Sequence, residues 1–380
     1  MRICSPHCGV APETTSGGET YERELLVGLG RLGVSIDILL ARSKPYPADA
    51  PNWTMHRLPI GRGLRWWVAP FIVPAGVHRV HRIRRFDVLR AHSLRYIGPS
   101  ALWARRRYRL DVPIIAHHHH VDPGPLTRII DRRVIDRVDH VVVGSEFARR
   151  QLSRELHART DHVSVIPYGV DGRFAPRPPR IDLRARHSLG DGPVALFFGG
   201  LKARKNLRLL LDIWPLVTAA QPAARLVIAG GGGMLDALRA RAGSLGILES
   251  VRFTGYVAED EKPAYFNAAD VFVFPSAMEG FGLAVAEAMA SGLPVVVSNR
   301  GSLPELVVHG EGGFVCDPAT PASFADALRT LLADVGARRK FGAANADRVE
   351  RLFRWDASVR RTLAVYEDVV DRWRTRARRS

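Results

Sequence analysis

Residues 271–298 read VFVFPSAMEGFGLAVAEAMASGLPVVVS. An apolar run ends at Pro275, a glycine-rich loop follows, a helical pattern begins near Leu283, and a second apolar run starts after Pro294. Short runs that are almost entirely apolar, separated by helices, are typical of parallel strands covered on both faces. The stretch therefore predicts an α/β fold built on a parallel sheet.

The same alternation of strand and helix continues on both sides of this stretch. The predicted strands of the first half are residues 2–4, 35–40, 112–116 and 140–144, and a helix is predicted at 19–30. Ser145 follows the last of these strands and suits the N-cap of a helix. A second series of strands starts near residue 194. We therefore predict two doubly wound domains.

The domain boundaries are predicted from a proline-rich segment. Residues 173–180, RFAPRPPR, include three prolines, which extend neither a helix nor a sheet, so this segment is predicted to be a linker. The domains are then residues 1–172 and 181–354. Residues 355–380 are predicted to form a C-terminal helix with a basic tail, and its return to the first domain is left open.

The composition argues against several classes of protein. The 380 residues carry a formal charge of +17, contain three cysteines, and include no apolar run long enough to span a membrane. Three cysteines are too few for a disulfide framework. No helix-turn-helix, zinc-finger or RNA-binding motif accompanies the basic charge, so we expect no nucleic-acid partner. We expect a cytoplasmic protein.

A basic and aromatic region in the first half suggests a lipid surface. The segment RGLRWWVAPFIV at residues 62–73 precedes basic clusters at residues 79–85 and 105–109. Aromatic and basic side chains together suit anionic lipid, so one hypothesis is peripheral contact with the inner face of a membrane. A flap packed on the first domain explains the segment equally well, and both interpretations stay open.

Two carboxylates mark the loop of the opening stretch. Glu279 lies in the loop, and Glu287 follows after seven residues, inside the next helix. Gly280 and Gly282 let backbone amides approach an anion, and the helix that begins near Leu283 directs its positive end to the same place. The pattern favours an anionic ligand. Alternatively, Glu279 caps the helix and Glu287 is solvated.

Two cations mark a second loop, GLKARKNL at residues 200–207. Arg204 and Lys205 stand just before a helix that opens near Asn206. Cations beside a helix N-terminus predict a diphosphate site. The alternative is an ordinary solvated basic loop.

Four histidines, residues 117–120, follow the predicted strand that ends at Ala116. Such a cluster suggests zinc first. However, adjacent residues of an extended chain point to opposite sides, so at most His117 and His119 share a face, and no acidic partner lies at ligand spacing. We therefore expect no metal site.

The loop with the two carboxylates resembles the motif of glycosyltransferase family four, a glutamate, seven residues and a second glutamate, with Gly-Phe-Gly after the first. The match is complete at Glu279, Gly280, Phe281, Gly282 and Glu287. The resemblance implies the GT-B fold, two Rossmann-like doubly wound domains that face each other across a cleft. It implies that the first domain binds the acceptor and the second binds a nucleotide sugar.

The activity implied by the resemblance is retaining transfer of a hexosyl group, mannose, glucose or a related sugar, from a nucleoside-diphosphate sugar to a hydroxyl acceptor. No metal or other cofactor is expected. The acceptor, lipid-linked acceptors included, would belong to cell-envelope glycan, glycolipid or polysaccharide biosynthesis. Alternatives are a sugar-nucleotide epimerase or a glycoside phosphorylase of the same fold, and an inactive partner subunit.

The resemblance also implies roles for the residues of the opening stretch. Glu279 would hold hydroxyls of the donor sugar, and Glu287 would hold the ribose of the nucleotide. The backbone amides that contact sugar and phosphate would be those of Gly280, Phe281, Gly282 and Leu283.

Two positive charges stabilise the leaving diphosphate in the family, one from the arginine of a Gly-Arg-Leu tripeptide and one from a lysine. Lys205 matches the lysine, but Gly200 stands where the arginine is expected. We infer that Arg204 supplies the missing charge. The departure at Gly200 is also what suggests the inactive alternative.

Three further positions match the family more loosely. His119 aligns with the histidine that contacts the donor sugar and supports transfer, and His118 is the alternative assignment. Gly18, in the turn GGET at residues 17–20, resembles a glycine beside the donor phosphate and the acceptor. Tyr256, in FTGYV at residues 253–257, lies in a segment that resembles a loop around the base and ribose.

Overall fold

The computed structural model describes residues 1–12, 17–61, 65–119, 124–178 and 181–377. Parts of four predicted segments lie outside the described residues: His120 of the histidine run, residues 62–64 of the aromatic segment, residues 179–180 of the linker and residues 378–380 of the tail. The chain forms two compact units, Met1–Tyr168 with Asp356–Ser380, and Gly169–Trp355. The chain passes between the units after residue 168 and after residue 355, and the boundaries were predicted at residues 172 and 354.

The first unit alternates strands and helices from its start. Its elements are β1 (Arg2–Pro6), α1 (Gly17–Arg31), β2 (Ser35–Ala41), β3 (Trp53–Leu58), α2 (Arg65–Ile83), β4 (Val88–Ala91), α3 (Gly98–Tyr108), β5 (Ile114–His118), α4 (Pro125–Ile135), β6 (His140–Val143), α5 (Glu146–Leu156) and β7 (Val163–Val165). Within the described residues these strands form one parallel sheet in the order β3-β2-β1-β4-β5-β6-β7. Ser145 caps α5 as predicted, since its side chain accepts a hydrogen bond from the Ala148 amide.

The second unit repeats this architecture. Its elements are α6 (Ile181–Arg186), β8 (Val194–Phe198), α7 (Leu207–Ala220), β9 (Arg225–Ala229), α8 (Leu235–Ser244), β10 (Val251–Gly255), α9 (Lys262–Ala268), β11 (Val271–Phe274), α10 (Leu283–Ala290), β12 (Val295–Ser298), α11 (Leu303–Leu306), β13 (Gly313–Cys316), α12 (Pro321–Ala333) and α13 (Val335–Leu352). Its described strands are parallel in the order β10-β9-β8-β11-β12-β13. The α/β, doubly wound prediction is confirmed for both units.

Strand order determines where each unit gathers its loops. In the first sheet the chain winds outward from β1 in one direction and from β4 in the other, and in the second sheet β8 and β11 play the same parts. Loops that leave such neighbours at their carboxyl ends diverge and open a crevice, the usual ligand position in this architecture. The loops after β8 and β11 contain Lys205 and Glu279.

The prediction for the histidine strand needs a correction. The strand was predicted at residues 112–116, whereas β5 covers Ile114–His118. Pro113 has no amide hydrogen to donate and only accepts a hydrogen bond from the Leu89 amide. At the other end, His117 and His118 pair in register with Val142 and Val143 of β6. Two of the histidines assigned to a loop are therefore strand residues.

The last helix of the chain, α14 (Trp355–Ala377), completes the first unit. Its buried Tyr366 hydroxyl lies 2.8 Å from Arg90 Nε and 2.6 Å from His117 Nε2. Near its end, Trp373 Nε1 donates to Asp111 Oδ1 at 2.9 Å. Residues far apart in sequence thus meet in one core.

The described part of the predicted linker, residues 173–178, packs on the second unit. Phe174 is buried, with its ring 5.8 Å from that of Phe266. The Arg177 amide donates to Asn267 Oδ1 at 2.9 Å. Residues 173–178 are therefore a packed part of the second unit.

The helices of the chain are short or interrupted by charged residues. Across the described ranges, none combines the length and the apolar character needed to cross a bilayer.

Gly301 supports the loop that contains Glu279. Its φ is +66°, and a Cβ at this position would lie 2.4 Å from the Glu279 carbonyl oxygen. We expect Gly301→Ala to destabilise the protein by more than the roughly 1–2 kcal/mol of left-handed strain, because the loop backbone must also move. Urea unfolding would measure this.

The matched control is Gly310→Ala. Gly310 has a φ of +81°, but a Cβ there would meet nothing within 4 Å. Gly310→Ala therefore introduces left-handed backbone strain without a steric clash. Equal losses of stability in the two variants would contradict the predicted support of the Glu279 loop.

Candidate active site

Glu279 and two cations form the centre of the candidate site in the second unit. Lys205 Nζ donates to Glu279 Oε1 at 2.6 Å, and Arg204 Nη1 donates to the same oxygen at 2.7 Å. Ser276 Oγ also donates to it, at 2.6 Å. The two predicted loops therefore meet at one oxygen atom.

Backbone contacts hold the two loops together. The Ala277 amide donates to the Arg204 carbonyl at 2.7 Å, and Ser276 Oγ lies 3.1 Å from the same carbonyl. On the other side, the Ser302 amide and hydroxyl donate to the Glu279 carbonyl at 3.1 and 3.2 Å. The position of Glu279 is thus set by backbone as well as by charge.

Burial and charge compete at this centre. Burial raises the pKa of Glu279, but Lys205 and Arg204 outweigh it, so the pKa of the carboxyl is lowered and Glu279 is ionised at neutral pH. Burial also lowers the pKa of Lys205, an effect that Glu279 opposes. Lys205 Nζ lies 4.4 Å from the centre of the Phe274 ring. Arg204 is more accessible, with its side chain 38% exposed, and can therefore reach a bound anion.

The glycine-rich turn after Glu279 positions the start of α10. Gly282 is the N-cap residue with a φ of +96°, and a Cβ there would lie 2.7 Å from Leu303 Cδ2. Leu283 is the first residue of the helix, and Phe281 is buried with its ring 5.9 Å from that of Phe353. Gly280 is partly exposed beside Glu279. The turn requires glycine at residue 282 and anchors itself through residue 281.

Glu287 forms a separate ion pair inside α10. It is 3% exposed, and Lys262 Nζ lies 2.9 Å from its Oε1 and 2.7 Å from its Oε2. Burial raises the pKa of Glu287, and Lys262 opposes the rise only in part. The carboxylate is therefore neither a solvated helix residue nor a partner of Glu279's cations.

The remaining predicted donor residues lie on neighbouring loops of the same sheet edge. Gly200 follows β8, and the Leu201 amide next to it donates to the Gly231 carbonyl at 2.9 Å. Tyr256 follows β10, is 48% exposed, and lies beside Gly231. The structure thus brings Gly200 and Tyr256 near one another through the β9 loop, and their roles stay predictions.

A second polar cluster occupies the first unit around Glu22 of α1. Arg90 Nη2 donates to Glu22 Oε2 at 2.5 Å, and His7 Nε2 lies 3.5 Å from that oxygen. His117 Nδ1 and His119 Nε2 lie 3.5 and 3.3 Å from Oε1. His117 and His119 share a face, as the alternation of the chain predicts.

Arg90 dominates the electrostatics of this cluster. Burial raises the pKa of Glu22, but Arg90 and the histidines lower it further, to well below its usual range. Burial and Arg90 together hold the pKa of His117 well below its usual range. Burial raises the pKa of Tyr366 to about 12. The cluster therefore contains an ionised carboxylate, a charged guanidinium and a neutral His117 at neutral pH.

His119, the predicted sugar contact, is held by its own unit. Its Nδ1 is hydrogen-bonded to the Tyr168 hydroxyl, and its side chain is 23% exposed. The alternative assignment, His118, is the last residue of β5 and is buried. Gly18 lies in the first turn of α1, one turn before Glu22. Exposure favours His119 over His118, and the roles of His119 and Gly18 stay predictions.

Three charged residues of these clusters were missed at the sequence level. Glu22 and Lys262 each stand one helical turn before a fully buried residue, Leu26 and Phe266, and Arg90 interrupts an apolar strand. A charged side chain on an apolar helix face or within a buried strand is the signal that could have found them.

In the described ranges, no group of three or more His, Cys, Asp or Glu residues is arranged to hold a metal ion.

Comparison with known proteins identifies the family. Residues 15–173 match the family described as Glycosyltransferase Family 4, and residues 180–348 match the family described as Glycosyl transferases group 1. A GDP-mannose-dependent alpha-(1-6)-phosphatidylinositol monomannoside mannosyltransferase from Mycobacterium tuberculosis is 36% identical over 68% of this chain and 71% of that one. The chain belongs to glycosyltransferase family four.

The similarity to two further proteins extends over nearly the whole chain. D-inositol 3-phosphate glycosyltransferase from Kineococcus radiotolerans is 33% identical, over 93% of this chain and 91% of that one. The structure of Anabaena HepE, solved with UDP and glucose, superposes with a TM-score of 0.81 at 19% identity, over 97% of this chain and 100% of that one. The predicted GT-B fold and the predicted class, a nucleotide-sugar hexosyltransferase, are confirmed.

We expect Arg90→Met to destabilise this glycosyltransferase by about 3–5 kcal/mol, because it leaves the Glu22 carboxylate buried without its cation. The double variant Glu22→Gln/Arg90→Met removes both charges and should regain most of that loss. Urea unfolding followed by circular dichroism measures both.

Arg208→Met, on the exposed face of α7, is the control and should change stability by less than about 0.5 kcal/mol. If the double variant were as unstable as Arg90→Met alone, charge compensation would not be the role of Arg90.

Proposed function

We propose that this enzyme transfers a hexosyl group, with retention of anomeric configuration, from a nucleoside-diphosphate sugar to a hydroxyl acceptor in glycan or glycolipid synthesis. The observation that carries the proposal is the convergence of Lys205 and Arg204 on Glu279, at 2.6 and 2.7 Å. Two cations suit a diphosphate, and the carboxylate beside them suits sugar hydroxyls.

An exchange of partners follows from this arrangement. Without a donor, Lys205 and Arg204 compensate the charge of Glu279. Diphosphate oxygens compete for the two cations, so Glu279 becomes available to accept hydrogen bonds from hydroxyls of the donor sugar. The cations then stabilise the negative charge that develops on the leaving diphosphate as the bond to the sugar breaks.

Retention is proposed from the family resemblance. The acceptor hydroxyl would attack the cation-like sugar from the face that the diphosphate leaves, forming the new bond on that side. The leaving phosphate would take the acceptor proton, so no protein carboxylate is needed as base. Because Lys205 and Arg204 supply the positive charge, transfer is proposed to need no metal ion.

The proposed donor is GDP-mannose, and the proposed acceptor is lipid-linked. The mycobacterial relative is named for GDP-mannose and for a phosphatidylinositol mannoside. HepE was solved with UDP and glucose, so UDP-glucose is the main competing donor in any assay.

A surface of the first unit supports access to a lipid acceptor. Phe71 of α2 is 69% exposed and contacts the edge of the Trp103 ring of α3, with ring centres 5.7 Å apart. Arg79 and Arg82 are exposed further along α2, and Arg106 is exposed on α3. We call these five residues the basic aromatic face. Its composition suits the surface of an anionic bilayer.

We expect Glu279→Gln to lower transfer of mannose by about 10- to 100-fold, since a charged acceptor of sugar hydroxyls is lost. The same variant should bind GDP at least as tightly as the wild type, because Lys205 and Arg204 lose their competing carboxylate. Initial rates and calorimetry measure the two effects. Equal weakening of GDP binding and transfer would contradict the exchange of partners.

Glu249→Gln, an exposed glutamate of the same unit, is the matched control and should leave both measurements unchanged. The same assay, repeated with EDTA and with proton NMR of the anomeric centre, tests the metal-independent and retaining parts of the proposal. Activity that is lost in EDTA and restored by magnesium, or a product of inverted configuration, would overturn that part.

We expect the double variant Phe71→Ser/Arg82→Glu to sediment less with phosphatidylglycerol vesicles at low salt than the wild type does. Each basic residue near an anionic surface contributes about 1 kcal/mol, and charge reversal adds repulsion. Leu216→Ser/Arg208→Glu, at exposed positions of α7, is the control. A wild type that does not sediment, or equal loss in both double variants, would rule out the basic aromatic face as the lipid contact.

A further inference from the structure

Lys262 is a buried lysine whose ammonium is committed to Glu287. It is the first residue of α9 and is 7% exposed. Its Nζ makes a hydrogen bond to Glu287 Oε1 at 2.9 Å. It also lies 2.7 Å from Oε2, but without hydrogen-bond geometry. One ammonium therefore binds one oxygen and attracts the other.

The second oxygen of Glu287 has hydrogen-bonding capacity left over. Oε2 is buried and receives no hydrogen bond from any residue that the structure describes. A carboxylate oxygen can accept about two hydrogen bonds, and Oε2 has the Lys262 ammonium on one side, so a ligand or water can supply a second donor. Hydroxyl groups are suitable donors. The ion pair thus leaves one acceptor for a hydroxyl-bearing ligand.

The ammonium of Lys262 is itself held on several sides. It lies 5.3 Å from the centre of the Phe198 ring and 5.6 Å from that of Phe174. Glu259 Oε2 lies 4.0 Å away, and Arg173 in turn lies 3.2 Å from Glu259. These contacts keep the ammonium at Glu287, so Lys262 is poorly placed to act as a phosphate ligand.

The charge of Glu287 depends on this arrangement. Burial raises the pKa of the carboxyl, Lys262 lowers it, Glu259 raises it and Arg173 lowers it. Without the ammonium, burial is opposed much less, and the carboxyl takes up a proton at higher pH. A protonated carboxyl is a weaker acceptor for a hydroxyl group.

We propose that Lys262 is the positioning residue of the ribose site: its ammonium, in contact with both oxygens of Glu287, orients the carboxylate so that Oε2 accepts from the ribose hydroxyls of the donor nucleotide. The inference rests on the proposed function, in which Glu287 holds the ribose. It adds the residue that sets preference for a ribonucleotide over one that lacks the ribose hydroxyls. Lys262 itself does not touch the substrate.

The test compares GDP and UDP with their 2′,3′-dideoxy counterparts by calorimetry, using the full chain. We expect the wild type to bind the ribonucleotide about 10- to 100-fold more tightly, the range for hydrogen bonds to a charged group. Lys262→Met should lose most of this preference while its affinity for the dideoxynucleotide stays unchanged. Lys262→Arg should retain it.

The pH dependence and kinetics provide a second readout. As the pH is lowered from 7.5 toward 6, Lys262→Met should lose affinity for the ribonucleotide faster than the wild type, because its Glu287 protonates at higher pH. In transfer assays KM for the donor should rise with little change in kcat, since the residue acts on binding of the ribose. A purely structural lysine would move neither the ribose preference nor its pH dependence.

Glu287→Gln separates failure of this inference from failure of the proposed function. If Glu287→Gln abolishes the ribose preference and Lys262→Met does not, Lys262 has no positioning role. Equal weakening of both nucleotides by Lys262→Met also overturns it. If the wild type shows no ribose preference, the assignment of Glu287 fails, and the inference fails with it. Should Lys262→Met not fold, Lys262→Gln replaces it with the same expected loss.

Discussion

The contact of Glu279 with Lys205 and Arg204 is the interaction on which the candidate site of the second unit depends. It exists because the parallel sheet places β8 beside β11, so the loops that leave these strands meet at one edge. Neither loop could bury its charge alone, because an unpaired ion loses its hydration without compensation. Together they form a centre in which Glu279 and Lys205 are buried, Arg204 is partly exposed, and the loops are held by backbone hydrogen bonds.

The same requirement recurs at two other buried carboxylates. Glu22 has Arg90, and Glu287 has Lys262, and each cation comes from a different element from its carboxylate. Such pairs contribute little net stability, since desolvation offsets attraction. In each pair the cation lowers the pKa of its carboxylate and so opposes the effect of burial. Under the proposed function, Glu279 and Glu287 accept hydrogen bonds from hydroxyl groups, and an ionised carboxylate is the stronger acceptor.

The first unit shows how much of a site is contributed by distant parts of the chain. Glu22 comes from the first helix and Arg90 from the fourth strand, while Tyr366 belongs to the last helix and contacts both Arg90 and His117. Tyr168 holds His119 at the point where the chain leaves this unit. His119 is therefore partly exposed to solvent, whereas Glu22, Arg90, His117 and Tyr366 of the same network are buried.

The sequence alone determined the α/β architecture, because apolar runs of strand length and helical patterns are local properties that survive in any context. It also determined the Glu279 to Glu287 spacing and the neighbouring Arg204 and Lys205, because each lies within one loop and helix. Only the tertiary structure decided that Glu279 contacts Lys205 and that β5 continues through His118. It also decided which buried charges pair, Glu22 with Arg90 and Glu287 with Lys262. Those outcomes depend on strand order and on which side chains share a dry interior, and residues far apart in sequence carry no local signal of their neighbours.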